Sequence, residues 1–376
     1  KLVAAGLCDP EGILLCGMDD RLSVLGTLTE EPIITGLFDT LSINSVLFAR
    51  PREPYATIID FLARESSGSI RPGDTETRTF LHELPVVDRF DTEALTSALS
   101  RRKSALIPGH GVVTFGTVSP EQAFVVFSSV VFATFVKYFS DHLKRARAGT
   151  LTKQERALFS RIVSSLAAPN SAPPGLMTGP LDRDHKIITA MCEAGRATVT
   201  QGLVDSYFGN ISFFHDQVVH ISQTGSSLDE LEGLIDPVPL DSSSCAGVTA
   251  SSELSAHREV YLNSSLTSIL HGHPRFSVIM SMDCPHEADC SNFGECHRKC
   301  SRERFVEGVP IVPGEVGTGV WGIARTLPPV LARHKRAIVY GHGLFTAGGS
   351  DFNEAFRALY ETEQTMRAAY FNALQG

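Results

Sequence analysis

Three histidines in the second half of the chain have the spacing of a metal site. His271 and His273 flank Gly272 at the end of an apolar run that predicts a β-strand. Alternate residues of a strand face the same side, so both imidazoles are expected in one site. His342, between two glycines, ends a second such strand. Three neutral imidazoles with an open fourth position are the ligands of a catalytic divalent metal, whereas His-x-His alone is also typical of ordinary strand ends.

Short polar stretches in the same half have the composition of anion-binding turns. Residues 251–253 (Ser-Ser-Glu) precede a helical pattern, where serines cap the first turn, free N–H groups bind phosphate and a carboxylate is favoured. Asn210 and the pair Thr224 and Gly225 bracket a predicted hairpin, and small glycine-containing turns of this kind cradle phosphates. Each stretch taken alone is equally typical of a plain cap or turn.

A polar insertion contains four cysteines, which are Cys284, Cys290, Cys296 and Cys300. Four thiols in one loop predict a structural zinc site or an iron–sulfur cluster. Their spacing does not follow a standard ligand pattern, so free thiols or local disulfides are the alternative. Because the loop follows His273 closely, it could cover the metal site.

The elements that must position these residues occur twice along the chain. Each copy has a short apolar strand, Gly-His-Gly, a further apolar stretch and then a long helical pattern, which begins near Pro120 or near Asn353. The aligned segments are residues 104–116 with 336–348, 45–51 with 268–274, and 6–9 with 202–205. We therefore predict two copies of one unit.

The first copy lacks two of the three histidines. Phe48 and Arg50 stand at the positions of His271 and His273, and only His110 matches the third histidine of the second copy. The first copy is therefore predicted to be chemically degenerate.

A run rich in proline and serine predicts a linker between the two copies. We expect the degenerate domain over residues 1–166, the linker over 167–180, and the domain with the intact metal site over 181–376. The second domain opens with a helix from about Asp182 to Thr200, for which the first has no equivalent.

Composition limits the class of protein. The 376 residues are 43% hydrophobic and 20% charged, which is typical of a globular chain of two or three domains. With 33 Lys+Arg against 42 Asp+Glu, the net charge of −9 argues against nucleic-acid binding. The most apolar run, residues 124–139, is shorter than the roughly 20 residues of a membrane span. We therefore expect a buried helix, no membrane association and a cytoplasmic protein.

Taken in order, these segments resemble the class II aldolase/adducin family. The resemblance covers residues 181–376 and is weaker in the first copy. It is carried by Gly209-Asn210-Ile-Ser, Thr224-Gly225, Ser251-Ser252-Glu253, His271-Gly-His273-Pro, Gly317-Thr-Gly319 and Gly341-His342-Gly343. It implies an α/β fold, a three-layer α/β/α domain around a mostly antiparallel sheet, here in two tandem copies.

The resemblance also implies a role for each matching residue. His271, His273 and His342 would hold a divalent metal, usually Zn2+ and in some members Mn2+, Co2+ or Fe2+. The phosphate of a small-molecule substrate would be bound by Asn210, Thr224, Gly225, Ser251 and Ser252. Glu253 would transfer the proton.

The implied activity is that of a metal-dependent carbon–carbon lyase of aldolase type, acting through an enediolate on a small phosphorylated hydroxycarbonyl compound. Members that epimerise tend to have Asp where this chain has Glu253, which favours a lyase. A decarboxylase or dehydratase of the same family and a non-catalytic adducin-like scaffold are alternatives, and a sensor that uses the cysteine loop is a third. Because members commonly form cyclic tetramers, we expect a homodimer whose four domains form a pseudo-tetramer.

Overall fold

The computed structural model describes residues 1–168, 172–204 and 207–375. The chain divides into two compact units, residues 1–168 and 169–376. The division falls inside the segment 167–180. Residues 169–171 of that segment, and Asp205 of the aligned segment 202–205, lie outside the described residues.

The first unit contains seven strands and six helices in its described part. The strands are β1 (Cys8–Met18), β2 (Leu22–Leu25), β3 (Ser45–Pro51), β4 (Ser69–Ile70), β5 (Leu84–Pro85), β6 (Ser104–Ile107) and β7 (Gly111–Gly116). The helices are α1 (Glu31–Thr35), α2 (Tyr55–Glu65), α3 (Thr75–Leu81), α4 (Thr92–Leu99), α5 (Pro120–Arg147) and α6 (Lys153–Ser164).

The second unit contains eight strands and six helices in its described part. The strands are β8 (Asn210–His215), β9 (Val218–Ser222), β10 (Ile235–Pro239), β11 (Ser268–Gly272), β12 (Arg304–Val306), β13 (Val309–Val312), β14 (Arg336–Val339) and β15 (Gly343–Gly348). The helices are α7 (Asp184–Thr200), α8 (Leu254–Leu262), α9 (Arg275–Met282), α10 (Ile323–Thr326), α11 (Pro328–His334) and α12 (Asn353–Ala373).

Each unit is built around its own sheet. The first unit has a five-stranded antiparallel sheet in the order β2-β1-β3-β7-β6. The second has an eight-stranded sheet in the order β10-β9-β8-β11-β15-β14-β13-β12, in which β13 and β14 form a parallel pair and the other neighbours are antiparallel. The predicted sheet, α/β and mostly antiparallel, is confirmed for the second unit.

The central strand β11 is buried on both faces, which explains its uninterrupted apolar sequence. Ile269 faces a core shared with α8, α10 and α11, to which Val260 and Leu327 also belong. The opposite face of the sheet packs against α12, which contacts β11 and β15, and against α9, which contacts β14 and β15. The layers predicted for this unit, helices on both sides of one sheet, are therefore present.

The two sheets share a strand order and a register. In the second unit the five strands β9-β8-β11-β15-β14 repeat the order and directions of β2-β1-β3-β7-β6. Ser45 pairs with Gly116, and Ser268 pairs with Gly348. Each serine is buried and donates a hydrogen bond to the carbonyl three residues after its paired glycine, at 2.9 and 2.8 Å. The aligned segments 45–51 with 268–274 and 104–116 with 336–348 thus occupy matching positions in their own sheets.

The apolar run at residues 124–139 lies within α5, whose 28 residues would be long enough to cross a bilayer. Its most apolar window has a mean hydropathy of 1.7, and 89% of that window is buried within the fold. The helix packs against β7, β3 and α2 of its own unit. It is therefore the core helix that the sequence predicts.

A carboxylate from one helix caps the start of another. Glu363 on α12 accepts hydrogen bonds from the backbone N–H groups of Phe276 and Ser277, each at 2.8 Å, and from the Ser277 hydroxyl at 2.8 Å. These N–H groups have no partner inside α9 because they lie in its first turn. Since α9 begins two residues after His273, this cap fixes the backbone at the end of β11.

We expect Glu363→Ala to lower the free energy of unfolding of the second unit by about 1–3 kcal/mol, because two helix N–H groups lose their acceptor. Urea titration followed by the fluorescence of Trp321 reports on this unit, since it is the single tryptophan of the chain. Glu361→Ala, at an exposed position of the same helix, is the control. Equal unfolding midpoints for the two variants would contradict the capping role.

Candidate metal centre

The three predicted histidines converge at one end of the second sheet. His271 is paired with Phe345 of β15, and His273 follows directly after β11. His342 lies in the turn between β14 and β15, where its N–H donates to the carbonyl of Val339 at 3.0 Å. His271 and His273 therefore lie on the same side of the strand, as the alternation in the sequence predicts.

The imidazole nitrogens are close enough to share one ion. Nε2 of His271 lies 3.0 Å from Nε2 of His273 and 3.2 Å from Nε2 of His342. Two imidazole nitrogens on a tetrahedral zinc ion, with bonds of about 2.0–2.1 Å, would be about 3.3 Å apart. The three side chains are 1–6% exposed. The spacing thus fits a divalent metal.

Hydrogen bonding and burial prepare these rings as neutral ligands. Nδ1 of His271 lies 3.1 Å from the carbonyl oxygen of Leu344, which can only accept, so Nδ1 has the proton and Nε2 offers its lone pair. Burial lowers the pKa of His271 to about 4 and holds the pKa of His273 well below its ordinary value. At neutral pH both rings are therefore uncharged, as metal binding requires.

Aromatic stacking fixes the ring planes. Phe345 stacks on His271 with ring centroids 3.8 Å apart and an interplanar angle of 9°. Phe208 stacks on His273 at 5.4 Å and 13°. The sequence analysis did not identify either phenylalanine, although Phe345 stands two residues into the strand that follows the Gly-His-Gly segment.

Glycines let the backbone approach the histidines closely. A Cβ on Gly343 would lie 2.6 Å from Cε1 of His271 and 2.6 Å from the carbonyl oxygen of Gly272. Gly209 has a φ of +78°, and a Cβ there would lie 2.4 Å from the carbonyl oxygen of His271. Any larger residue at either position would push the site apart.

Glu253 is the carboxylate of the site. Its Oε1 lies 3.1 Å from Nε2 of His342 and its Oε2 lies 3.5 Å from Nε2 of His271. Asn210 donates from Nδ2 to Oε2 at 2.6 Å. Burial acts to raise the pKa of Glu253, but the neighbouring imidazoles and the Asn210 hydrogen bond outweigh it and hold the pKa below its usual range. The carboxylate is therefore ionised at neutral pH.

The start of α8 differs in detail from the sequence expectation. Glu253 is the N-cap residue and not part of the first turn, and no side chain caps the helix. Ser251 instead accepts a long hydrogen bond from the backbone N–H of Glu253 at 3.3 Å. The serine thus positions the backbone of the carboxylate residue.

The segments predicted to bind phosphate lie side by side. Thr224 donates from its hydroxyl to the carbonyl of Ala250 at 2.9 Å, and the N–H of Ser251 donates to the carbonyl of Ser222 at 3.0 Å. Gly225 has a φ of +71° with open space beyond its Cα. Of the five residues predicted to bind phosphate, Asn210 and Ser251 are buried. The other three, Thr224, Gly225 and Ser252, are exposed. The five residues therefore lie on connected segments, with Asn210 beside Glu253.

A buried polar network behind Glu253 was not predicted from the sequence. His257, one helical turn after Glu253, lies with Nδ1 2.6 Å from the hydroxyl of Ser212. Tyr261 lies 2.5 Å from the same hydroxyl. The spacing of four residues between Glu253, His257 and Tyr261 on one helix face was the available signal. The network anchors α8 on β8.

The cysteine loop does not form a comparable group. Within residues 1–168, 172–204 and 207–375, only the histidine trio places three potential ligand atoms within 4.8 Å of one another. Cys296 is buried, the other three thiols are partly exposed, and all four are free. Burial and the nearby Cys284 and Cys300 raise the pKa of Cys296. A metal at Cys284, Cys290, Cys296 and Cys300 stays a prediction that this geometry does not support.

Residues 189–370 match the family model described as Class II Aldolase and Adducin N-terminal domain. The match spans most of the second unit, which is therefore similar to the class II aldolase and adducin family. Among curated protein sequences, none matches the chain.

Solved structures are similar to about half of the chain. The L-fuculose-1-phosphate aldolase of Thermus thermophilus is 23% identical, with a TM-score of 0.41 over 50% of this chain and 96% of that one. A sugar-phosphate aldolase of Thermotoga maritima is 17% identical, with a TM-score of 0.36 over 51% and 96%. An N-terminal class II aldolase domain from Thermoplasma acidophilum is 13% identical, with a TM-score of 0.38 over 53% and 99%.

We expect Gly343→Ala to weaken Zn2+ binding at least about tenfold, because the added methyl group would displace the ring of His271. Gly349→Ala is the matched control, since a Cβ there meets nothing within 4 Å. Competition with a chromophoric chelator measures both affinities. Unchanged affinity in Gly343→Ala would show that the close approach of β15 does not shape the site.

Proposed function

We propose that the second unit catalyses metal-dependent cleavage of a carbon–carbon bond in a small, phosphorylated hydroxycarbonyl compound. The observation that carries the proposal is the buried, ionised Glu253 carboxylate 3.1 Å from a nitrogen of the histidine trio. A proton-transferring group at this distance from the ligands is placed to act on a molecule held there. The match of residues 189–370 to the class II aldolase and adducin family model supports the same reaction class.

His271, His273 and His342 would hold the divalent ion. Three imidazole nitrogen ligands favour zinc over harder ions such as magnesium. When bound, the ion would supply Lewis-acid polarisation of a substrate carbonyl and the hydroxyl beside it.

Glu253 would act first as a base. In retro-aldol cleavage it takes the proton of the hydroxyl on the carbon that becomes the new carbonyl, and the electron pair of the broken bond passes to the other fragment as an enediolate. Return of the proton to the carbon of the enediolate that received this electron pair completes the reaction and restores the carboxylate. Asn210, which donates to Oε2 at 2.6 Å, would hold the carboxylate in place through both transfers.

The connected segments beside α8 would take the phosphate. Gly225 offers unobstructed backbone in an exposed turn, and Ser252 is exposed at the N-terminal side of the nine-residue helix α8. Backbone N–H groups at a helix start attract an anion. A phosphate there would place the reactive carbons of a short sugar phosphate toward the histidines.

Two other reactions use the same groups. Decarboxylation and dehydration also begin with polarisation of a carbonyl next to the bond that breaks, so the histidines and Glu253 serve them equally. A non-catalytic scaffold of the adducin type would not require a buried carboxylate beside three metal-ready imidazoles. We therefore keep decarboxylation and dehydration as alternatives to aldol cleavage and place the scaffold last.

We expect Glu253→Gln to lower kcat at least about 100-fold while leaving the bound zinc unchanged, because the amide keeps the shape but cannot accept the proton. Glu259→Gln, at an exposed position of the same helix, is the control and should retain activity. Metal content by mass spectrometry is measured beside turnover. Wild-type rates in Glu253→Gln would remove this residue from the mechanism.

The reaction itself is tested with the zinc-loaded chain and L-fuculose 1-phosphate together with short ketose phosphates, followed by NMR. Cleavage into two carbonyl fragments supports the proposal. Release of carbon dioxide from a related keto acid phosphate, or loss of water, would assign the alternative reactions. Full metal occupancy with no turnover of any of these compounds would contradict catalysis and favour the scaffold.

A further inference from the structure

The first unit has a carboxylate at the position of Glu253. Glu30 precedes Ser45 by fifteen residues, as Glu253 precedes Ser268, and the two serines hold equivalent registers in their sheets. Glu30 is also the N-cap residue of α1, as Glu253 is of α8. The structure therefore retains this carboxylate in the unit that lost two histidines.

A guanidinium takes the place of the metal ligands in the first unit. Arg50, at the position of His273, lies with Nη2 2.5 Å from Oε1 of Glu30. Its guanidinium carbon lies 5.9 Å from the ring centroid of Phe48, which stands at the position of His271. His110 occupies the same turn as His342, with its N–H bonded to the carbonyl three residues back at 3.0 Å. The cation that neutralises the carboxylate is thus part of the chain.

A cavity of about 520 Å³ opens beside Arg50, lined by residues of the first unit alone. We name it the Arg50 cavity. Its charged lining consists of Arg50, Arg64, Arg161, Glu53 and Asp60, with His110 at the same wall. Three guanidinium groups therefore face two carboxylates.

Arg50 and Arg64 each form an ion pair, whereas the guanidinium of Arg161 is held by a hydroxyl. Arg64 lies 2.9 Å from Asp60, whose other oxygen accepts the N–H of Gly109 at 2.5 Å. Arg161 on α6 donates to the hydroxyl of Thr57 at 2.8 Å. In the part of the chain that the structure describes, Arg161 has no carboxylate within ion-pair distance. The Thr57 hydroxyl in turn donates to Oε1 of Glu53 at 2.7 Å, so one hydroxyl separates Arg161 from this carboxylate. An anion in the cavity would contact the guanidinium of Arg161 without first breaking a direct ion pair.

We propose that the Arg50 cavity is a metal-independent binding site for a small molecule that carries an oxyanion, either a phosphate ester or a carboxylate. Planar guanidinium groups match the geometry of both anions and bind them through paired hydrogen bonds. The cavity is large enough for a small metabolite, since ligand pockets begin at roughly 300 Å³. The first unit is thereby a binding module, separate from the chemistry of the second.

The test is residue-resolved protection of arginines in the full-length chain. The protein is treated with phenylglyoxal in the presence of inorganic phosphate, of acetate, or of neither, and modified peptides are quantified by mass spectrometry. We expect the anion to slow modification of Arg64 and Arg161 while leaving Arg156 unchanged. Arg156 is the internal control because it is on the same helix as Arg161 and does not line the cavity.

Comparing the two anions shows whether the natural ligand binds through a phosphate or through a carboxylate. Protection by phosphate alone assigns a phosphate ester, and equal protection by acetate assigns a carboxylate. Arg161→Gln should raise the phosphate concentration needed to protect Arg64 by roughly tenfold, whereas Arg156→Gln should not. If neither anion protects Arg64 or Arg161 more than Arg156, the proposal is wrong. The readout does not depend on the second unit, so failure here leaves the proposed lyase untouched.

Discussion

Burying three imidazoles and one carboxylate at the end of a sheet is costly unless the group has a compensating charge. Each of these side chains is at most about 6% exposed, and an uncompensated buried carboxylate would lose several kcal/mol of hydration. His271, with its proton held on Nδ1 by a carbonyl, directs a lone pair at the same point as its neighbours. One divalent cation would satisfy the imidazoles and the carboxylate together. The remainder of the second unit is arranged around this requirement.

The backbone brings the three imidazoles and the carboxylate together through close contacts between a small number of residues. β11 and β15 approach each other through Gly272 and Gly343, and Phe345 then covers the ring of His271. Glu253 enters from the start of α8, whose position depends on the buried contact of His257 with Ser212. The first unit keeps the same frame but satisfies its carboxylate with a guanidinium, that of Arg50.

Local and repeated features could be predicted from the sequence, and long-range packing could not. The alternation in residues 268–273 placed two histidines on one face, and the helices begin at Pro120 and Asn353 as their patterns indicate. Stacking of Phe208, or the capping of α9 by Glu363 from a distant helix, depends on tertiary contacts that no local pattern specifies. Glu30 and Glu253 each precede a matching serine by fifteen residues, and this spacing is visible in the sequence. Only the strand registers show that the two serines, and therefore the two carboxylates, are equivalent. The predicted cysteine site rested on composition alone, and composition does not determine where thiols point.

X-ray absorption of the zinc-loaded chain tests the central claim most directly, because it reads the ligands of the ion itself. The account predicts one ion per chain with three imidazole nitrogens at about 2.0–2.1 Å and no sulfur at about 2.3 Å. That shell should be lost in His342→Ala. A sulfur-dominated shell, or a chain that binds no zinc at stoichiometric concentration, would contradict it.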